Sequence, residues 1–179
     1  MERYLYNQEC SGEIRLGVPK ISVSSDQTWE TPMEAVTPVA KYLISKGFKD
    51  IWEPACGNGK LAKALQSFGL NVICTDIKNG IDFFRYEPVF DYHAIVTNPP
   101  FNQRIEFLKR CYNIGRPFCL LMPTIFTIEM GILFRHYGIE MLVITKRLRF
   151  IKDGKKSTSA PFSVAWFCKG IIDEKLVFY

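Results

Sequence analysis

Asp50-Ile51-Trp52-Glu53-Pro54-Ala55-Cys56-Gly57-Asn58-Gly59 is a short apolar run that closes on an acid and passes directly into a turn with two glycines. Lys60 to about Phe68 follows with helix-forming residues, so the stretch predicts a strand, a glycine-rich turn and a helix. Glycine at such a turn lets the backbone come close to a ligand that a side chain would hold off. The pattern departs from the dinucleotide fingerprint GxGxxG in having only two close glycines and the acid Glu53 at the strand end. A loop built for phosphate avoids a carboxylate there, whereas a cationic or hydroxylated ligand can donate hydrogen bonds to it. The alternative is a purely structural strand-to-helix turn.

Working outward, Asn71-Val72-Ile73-Cys74-Thr75-Asp76 is a second apolar strand ending on an acid. Asp76 lies 17 residues beyond Gly59, about the distance at which an acid in a βαβ unit meets a ribose, and a carboxylate suits two hydroxyls that both donate. In Ile81-Asp82-Phe83-Phe84, Asp82 can accept from an exocyclic amino group while Phe83 packs on a flat purine; a helix cap beside core aromatics is the alternative. A third strand, Ile95-Val96, stops at Thr97-Asn98-Pro99-Pro100-Phe101-Asn102. Each proline fixes its own φ, extends the residue before it and lacks an N–H. The loop is therefore stiff and rich in acceptors, suited to gripping an amino group, with Phe101 placed to stack on a flat ring. An ordinary turn of Asn and Pro is the competing reading.

The remaining elements alternate in the same way. Thr31 is expected as the N-cap of a helix with Pro32 at its first position, Glu34 behind it and Gly47 at its end. Helices are expected from Ile105 to Cys111 and from Phe126 to Tyr137, and strands at Pro117–Pro123 and Met141–Ile144. A hairpin signal stands at Asp153-Gly154, and Ser163–Cys168 is expected as the final strand. Residues 1–27 are an arm of uncertain structure, and residues 28–179 form a single domain.

Composition narrows the class. In 179 residues, 47% hydrophobic and 23% charged content describe one globular core. No apolar run spans a bilayer and the N-terminus lacks a signal-peptide core, so a soluble cytoplasmic protein is expected. Six cysteines include no CxxC pair, and with two histidines they make no expected metal site. Cys74 and Cys119 are expected to pack as small hydrophobes. The net charge of +5 concentrates in Lys146, Arg147, Arg149, Lys152, Lys155 and Lys156, either a solvated hairpin or a phosphate-contacting loop.

Taken together, Thr31-Pro32, Glu53-Pro-Ala-Cys-Gly-Asn-Gly59, Asp76, Asp82-Phe83-Phe84 and Asn98-Pro-Pro-Phe101, in that order, resemble the class I S-adenosylmethionine-dependent methyltransferases, especially phage-type DNA adenine-N6 enzymes. The resemblance runs from about Thr28 to Phe162. It implies a Rossmann-like seven-stranded mixed sheet, its last strand antiparallel, with helices on both faces. It also implies S-adenosylmethionine held by Glu53, Ala55, Gly57 and Gly59, with Asp76 on the ribose, Asp82 and Phe83 at the adenine and Thr31 at the methionine end. Asn98 and the Pro99 carbonyl would accept the two protons of an adenine amino group, restoring its lone pair for attack on the methyl, with Phe101 stacking on the flipped base. No large target-recognition domain fits in the chain, which leaves the arm and the basic segment at Arg147, Arg149, Lys152, Lys155 and Lys156 for DNA. RNA adenine, a protein glutamine amide, and a non-catalytic nucleic-acid-binding module are the alternatives. The residues do not fix an oligomeric state.

Overall fold

The computed structural model describes residues 31–146, 148, 151–152, 155–156 and 163–179. Its elements are α1 (Met33–Ser45), β1 (Asp50–Glu53), α2 (Lys60–Gln66), β2 (Asn71–Cys74), β3 (Ala94–Thr97), α3 (Arg104–Ile114), β4 (Phe118–Pro123), α4 (Ile128–Tyr137), β5 (Glu140–Val143), β6 (Ile151–Lys152), β7 (Lys155–Lys156), β8 (Val164–Lys169) and β9 (Leu176–Phe178). The arm at residues 1–27 lies outside the described residues.

Seven strands form one sheet in the order β2-β1-β3-β4-β8-β5-β9. β2, β1, β3 and β4 pair in parallel, β8 is antiparallel to both β4 and β5, and β9 is parallel to β5. The expected mixed sheet is present, and the antiparallel member is the expected Ser163–Cys168 strand. That strand is not the chain's last, since β9 follows and forms one edge. Its three residues alternate exposed, half-buried, exposed, too short and too solvent-facing to stand out in sequence.

Period-2 alternation divides the sheet between two cores. Ile51, Val96, Cys119, Leu121, Trp166 and Cys168 meet α1 and α2 on one face. Trp52, Ile95, Phe118, Leu120, Met122 and Phe167 meet α3 and α4 on the other. Such double coverage explains why β4 is buried at every residue and reads as an unbroken apolar run. Cys119 packs in this interior as expected. Cys74 does not: it ends β2, the opposite edge strand, and is an exposed residue.

At the start of α1 the cap is Pro32, not Thr31, and no side chain bonds there. Helix α1 is anchored elsewhere, by the Ala35 carbonyl accepting from the buried Trp166 indole at 2.7 Å. Near the far edge, the buried Glu140 carboxylate accepts from the backbone N–H groups of Gly170, Ile171 and Ile172 at 2.9, 3.0 and 3.0 Å. This ties the turn between β8 and β9 to β5. The expected basic hairpin is present as the β6/β7 ladder, with Ile151 opposite Lys156 and Lys152 opposite Lys155. Arg147, Arg149 and the turn at 153–154 lie outside the described residues, as do the side chains of the three lysines.

Candidate functional site

Strand order reverses at β1. The chain leaves it for β2 on one side and returns across it to β3 on the other. In an open α/β sheet, a crevice opens outside the carboxyl ends at this reversal. Glu53 ends β1, Asp76 follows β2 and Asn98 follows β3, so all three candidate side chains issue at that mouth.

The glycine loop is stitched to β2. Cys56 N–H donates to the Thr75 carbonyl at 3.1 Å and Thr75 N–H to the Glu53 carbonyl at 3.0 Å. Gly57 N–H donates to Asp76 Oδ2 at 2.7 Å, while Lys78 N–H donates to Asp76 Oδ1 at 2.9 Å. Each carboxylate oxygen keeps a second lone pair for a hydroxyl. Gly57 and Gly59 have φ of +50° and +71°, and a Cβ at either would meet nothing within 4 Å. Their backbone conformation, rather than crowding, calls for glycine, and the loop fronts open space.

Glu53 is 2% exposed. One function of its carboxyl is structural: Gly59 begins α2 without a side chain to cap it, and Glu53 instead accepts from the backbone N–H of Ala62. Its Oε2 is buried and has no hydrogen-bond partner among the described residues. Burial, with Asp76 adding repulsion, raises its pKa from 4.5 to about 8 against the lowering effect of Ala62. Beside it the Cys56 and Cys74 thiols turn toward each other. Burial and the Glu53 carboxyl raise both, Cys74 to about 12, which keeps them neutral and poor nucleophiles. The pocket is thus an acidic one whose buried oxygen lacks a donor.

The loop after β3 is held from two sides. Asn98 Nδ2 donates to Thr31 Oγ1 at 3.3 Å, bringing together two expected site residues distant in sequence. From the other side, Arg104 Nη1 donates to the Phe101 carbonyl at 2.9 Å. The Arg104 Nε is buried without a partner among the described residues. Pro99 is buried, Pro100 exposed and Phe101 only 9% exposed.

Glu53, Ala55, Gly57, Gly59 and Asp76 therefore converge on one loop, with Thr31, Asn98, Pro99 and Phe101 on the next. Phe83 is 3% exposed and its ring stacks on Phe107 at 4.6 Å with Trp52 at 5.3 Å, the core packing that competed with contact to a purine. The neighbouring Phe84 is the exposed ring, and Ile77, directly after Asp76, is 66% exposed. Asp82 accepts from Phe84 N–H at 3.0 Å, and its carbonyl accepts from Arg85 and Tyr86 N–H, the turn-forming role that competed with ligand contact. Sequence reasoning missed Ile77 and Arg104. An apolar residue left exposed after a strand-end acid, and a basic residue three positions beyond Phe101, were the available signals. Among the described residues no group of His, Cys, Asp and Glu could hold a metal ion, and no helix is long and apolar enough to cross a membrane.

No protein-family model matches the chain, and no curated protein matches it in sequence. Solved structures match it in fold. A suspected RNA methyltransferase of Pyrococcus horikoshii aligns with a TM-score of 0.59 at 18% identity, covering 80% of this chain and 88% of its own. An S-adenosylmethionine-dependent O-methyltransferase of Thermotoga maritima gives 0.54 at 13% identity over 84% and 69%. Precorrin-6y C5,15-methyltransferase of Geobacter metallireducens gives 0.53 at 10% identity over 86% and 96%. The likeness is one of fold, shared with S-adenosylmethionine-dependent methyltransferases. The site fits their cofactor in three respects: a buried acceptor on Glu53 for a cationic group, spare lone pairs on Asp76 for hydroxyls, and open space before Gly57 and Gly59.

Proposed function

We propose that this protein transfers a methyl group from S-adenosylmethionine to the exocyclic N6 amino group of adenine in DNA. The observation that carries the reading is the Asn98-Pro99-Pro100-Phe101 loop at the carboxyl end of β3, next to the β1 glycine loop across the reversal point. When bound, the cofactor supplies an electrophilic methyl on a sulfonium. Glu53, Gly57 and Gly59 hold its amino-acid part and Asp76 its ribose. Ile77 and Phe84 offer exposed apolar surface to its adenine.

An adenine amino nitrogen is a weak nucleophile because its lone pair is delocalised into the ring. Asn98 Oδ1 and the Pro99 carbonyl each accept a hydrogen bond from one of its two N–H groups and draw it toward tetrahedral geometry, which restores the lone pair; both hydrogens stay on nitrogen until after transfer, when one is released to solvent. Oriented dipoles and positioning then supply the catalysis without a strong base. The Cys56 and Cys74 thiols, raised and neutral, are no candidates for one. A base in a duplex must be flipped out to reach the loop, and Phe101 stacks on it after shifting from its 9%-exposed position. Arg147, Arg149, Lys152, Lys155 and Lys156 bind phosphates on this reading, and neutralising the three lysines flattens the salt dependence of DNA binding. An unchanged slope removes that assignment.

Transfer of labelled methyl to duplex DNA, single-stranded DNA, total RNA and protein, measured in parallel, tests the substrate. Label on DNA adenine is expected; label on RNA adenine or glutamine amide instead replaces the polymer and retains the chemistry. Asn98→Ala is expected to abolish transfer while cofactor binding persists, and retained transfer refutes the mechanism.

A further inference from the structure

Between β2 and β3 the chain crosses residues 75–93, all of them described, with no strand or helix beyond the single turn Ile77–Asn79. A segment this long without a ladder must find other partners for its backbone groups, and such segments inside compact domains are usually functional. Part of the support comes from α3. In the turn that starts at Asp82, the N–H groups are satisfied internally: the Asp82 carboxylate accepts from Phe84, and its carbonyl from Arg85 and Tyr86. The carbonyls go to Arg110, whose Nε donates to that of Phe83 at 3.3 Å and whose Nη2 donates to that of Tyr86 at 3.5 Å. A guanidinium only donates and a carbonyl only accepts, so the direction of both bonds is fixed. Both are longer than the common range, and the charge on the donor offsets part of that.

Phe107 stands three residues before Arg110, on the same side of α3. Its ring stacks on Phe83 at 4.6 Å and meets Phe84 edge-on at 5.3 Å and 78°. Phe83 and Phe107 are each 3% exposed, whereas Phe84 is 37% exposed. The turn is thus anchored by one ring in the core and by the guanidinium on its carbonyls, and it carries the second ring to the surface.

We infer that Arg110 is a positioning residue for cofactor binding: it ties the turn at Asp82 to α3 and thereby holds the Phe84 ring in place as a wall for the purine of S-adenosylmethionine. This rests on the placement of the cofactor's adenine beside Ile77 and Phe84 proposed above. It gives α3 a part in both halves of the site, since Arg104 at its start holds the Phe101 carbonyl.

The experiment measures the Kd for S-adenosylhomocysteine by calorimetry in Arg110→Met, which keeps an unbranched apolar stem and removes the donors, alone and combined with Phe84→Ala. Alone, Arg110→Met is expected to raise that Kd about fivefold or more. In the Phe84→Ala background the same substitution should change it by less than about twofold, because the ring it positions is gone. Arg110→Lys, which keeps one charged donor group, should fall between wild type and Arg110→Met. Thermal unfolding establishes that each variant is folded at the assay temperature, and Arg110→Gln provides the same comparison if the methionine variant is not. An unchanged Kd in Arg110→Met overturns the inference. So does an equal loss in both backgrounds, which shows Arg110 acting by a route other than Phe84. Wild-type affinity in Phe84→Ala removes the placement of the adenine and the inference with it, whereas a wild-type protein that binds no S-adenosylhomocysteine refutes the cofactor reading itself.

Discussion

Glu53→Gln isolates the energetic consequence of burying an acid in the glycine loop. The unfolded chain releases this proton near pH 4.5, whereas the folded chain holds it to about pH 8. Between those limits the folded state binds the extra proton, so the stabilisation is full below pH 4.5 and falls as pH rises, by about 1.4 kcal/mol per pH unit. Across the window the sum is on the order of 5 kcal/mol, a large part of the 5–15 kcal/mol typical of a whole domain. Glutamine keeps an acceptor for Ala62 N–H and has no proton to lose. Urea unfolding of both proteins near pH 5, 6.5 and 8 measures the difference directly, because other carboxylates contribute equally to each and cancel. The wild type should lose ground to Glu53→Gln steadily as pH rises. Parallel stability curves would refute the claim that Glu53 retains its proton in the fold.

The same burial predicts that a cationic ligand ionises Glu53, so binding of S-adenosylmethionine near pH 7 should release protons, seen as a calorimetric enthalpy that varies with buffer ionisation heat; a buffer-independent enthalpy counts against it. Gly59→Ala places a Cβ on a left-handed residue and should cost about 1–2 kcal/mol, with weaker cofactor binding measured by calorimetry. Arg104→Ala removes the brace on the Phe101 carbonyl and should lower kcat more than it raises the cofactor Kd, with partial recovery in Arg104→Lys. Glu140→Ala leaves three backbone N–H groups without their acceptor and should cost about 3 kcal/mol, a fall in Tm of very roughly 6–12 °C for a chain this size, with methyl transfer retained at permissive temperature.

The legible parts of the fold were those where local chemistry and tertiary position agree. β1, β3 and β4 are buried on both faces, so their apolar runs declared them, and the turns after β1 and β3 carry glycines and prolines whose backbone demands are local. What escaped depended on neighbours distant in sequence. β2 looks as apolar as an inner strand, and only its place at the edge exposes Cys74. Phe83 and Phe84 are alike in sequence, and only packing against Trp52 and Phe107 sends the first inward. Thr31 carries a local capping signal, yet its hydroxyl turns to Asn98, which no pattern within one helix could express.

The place of β8 has a consequence for synthesis on the ribosome. It lies between β4 and β5 although it is made after both, so every growing chain that ends before Val164 presents β4, six fully buried residues in the finished fold, as an unpaired edge. Bare apolar edges of this kind recruit other chains. Nascent chains arrested before Val164 should therefore associate with one another or with chaperones, and those extended past Lys169 should not.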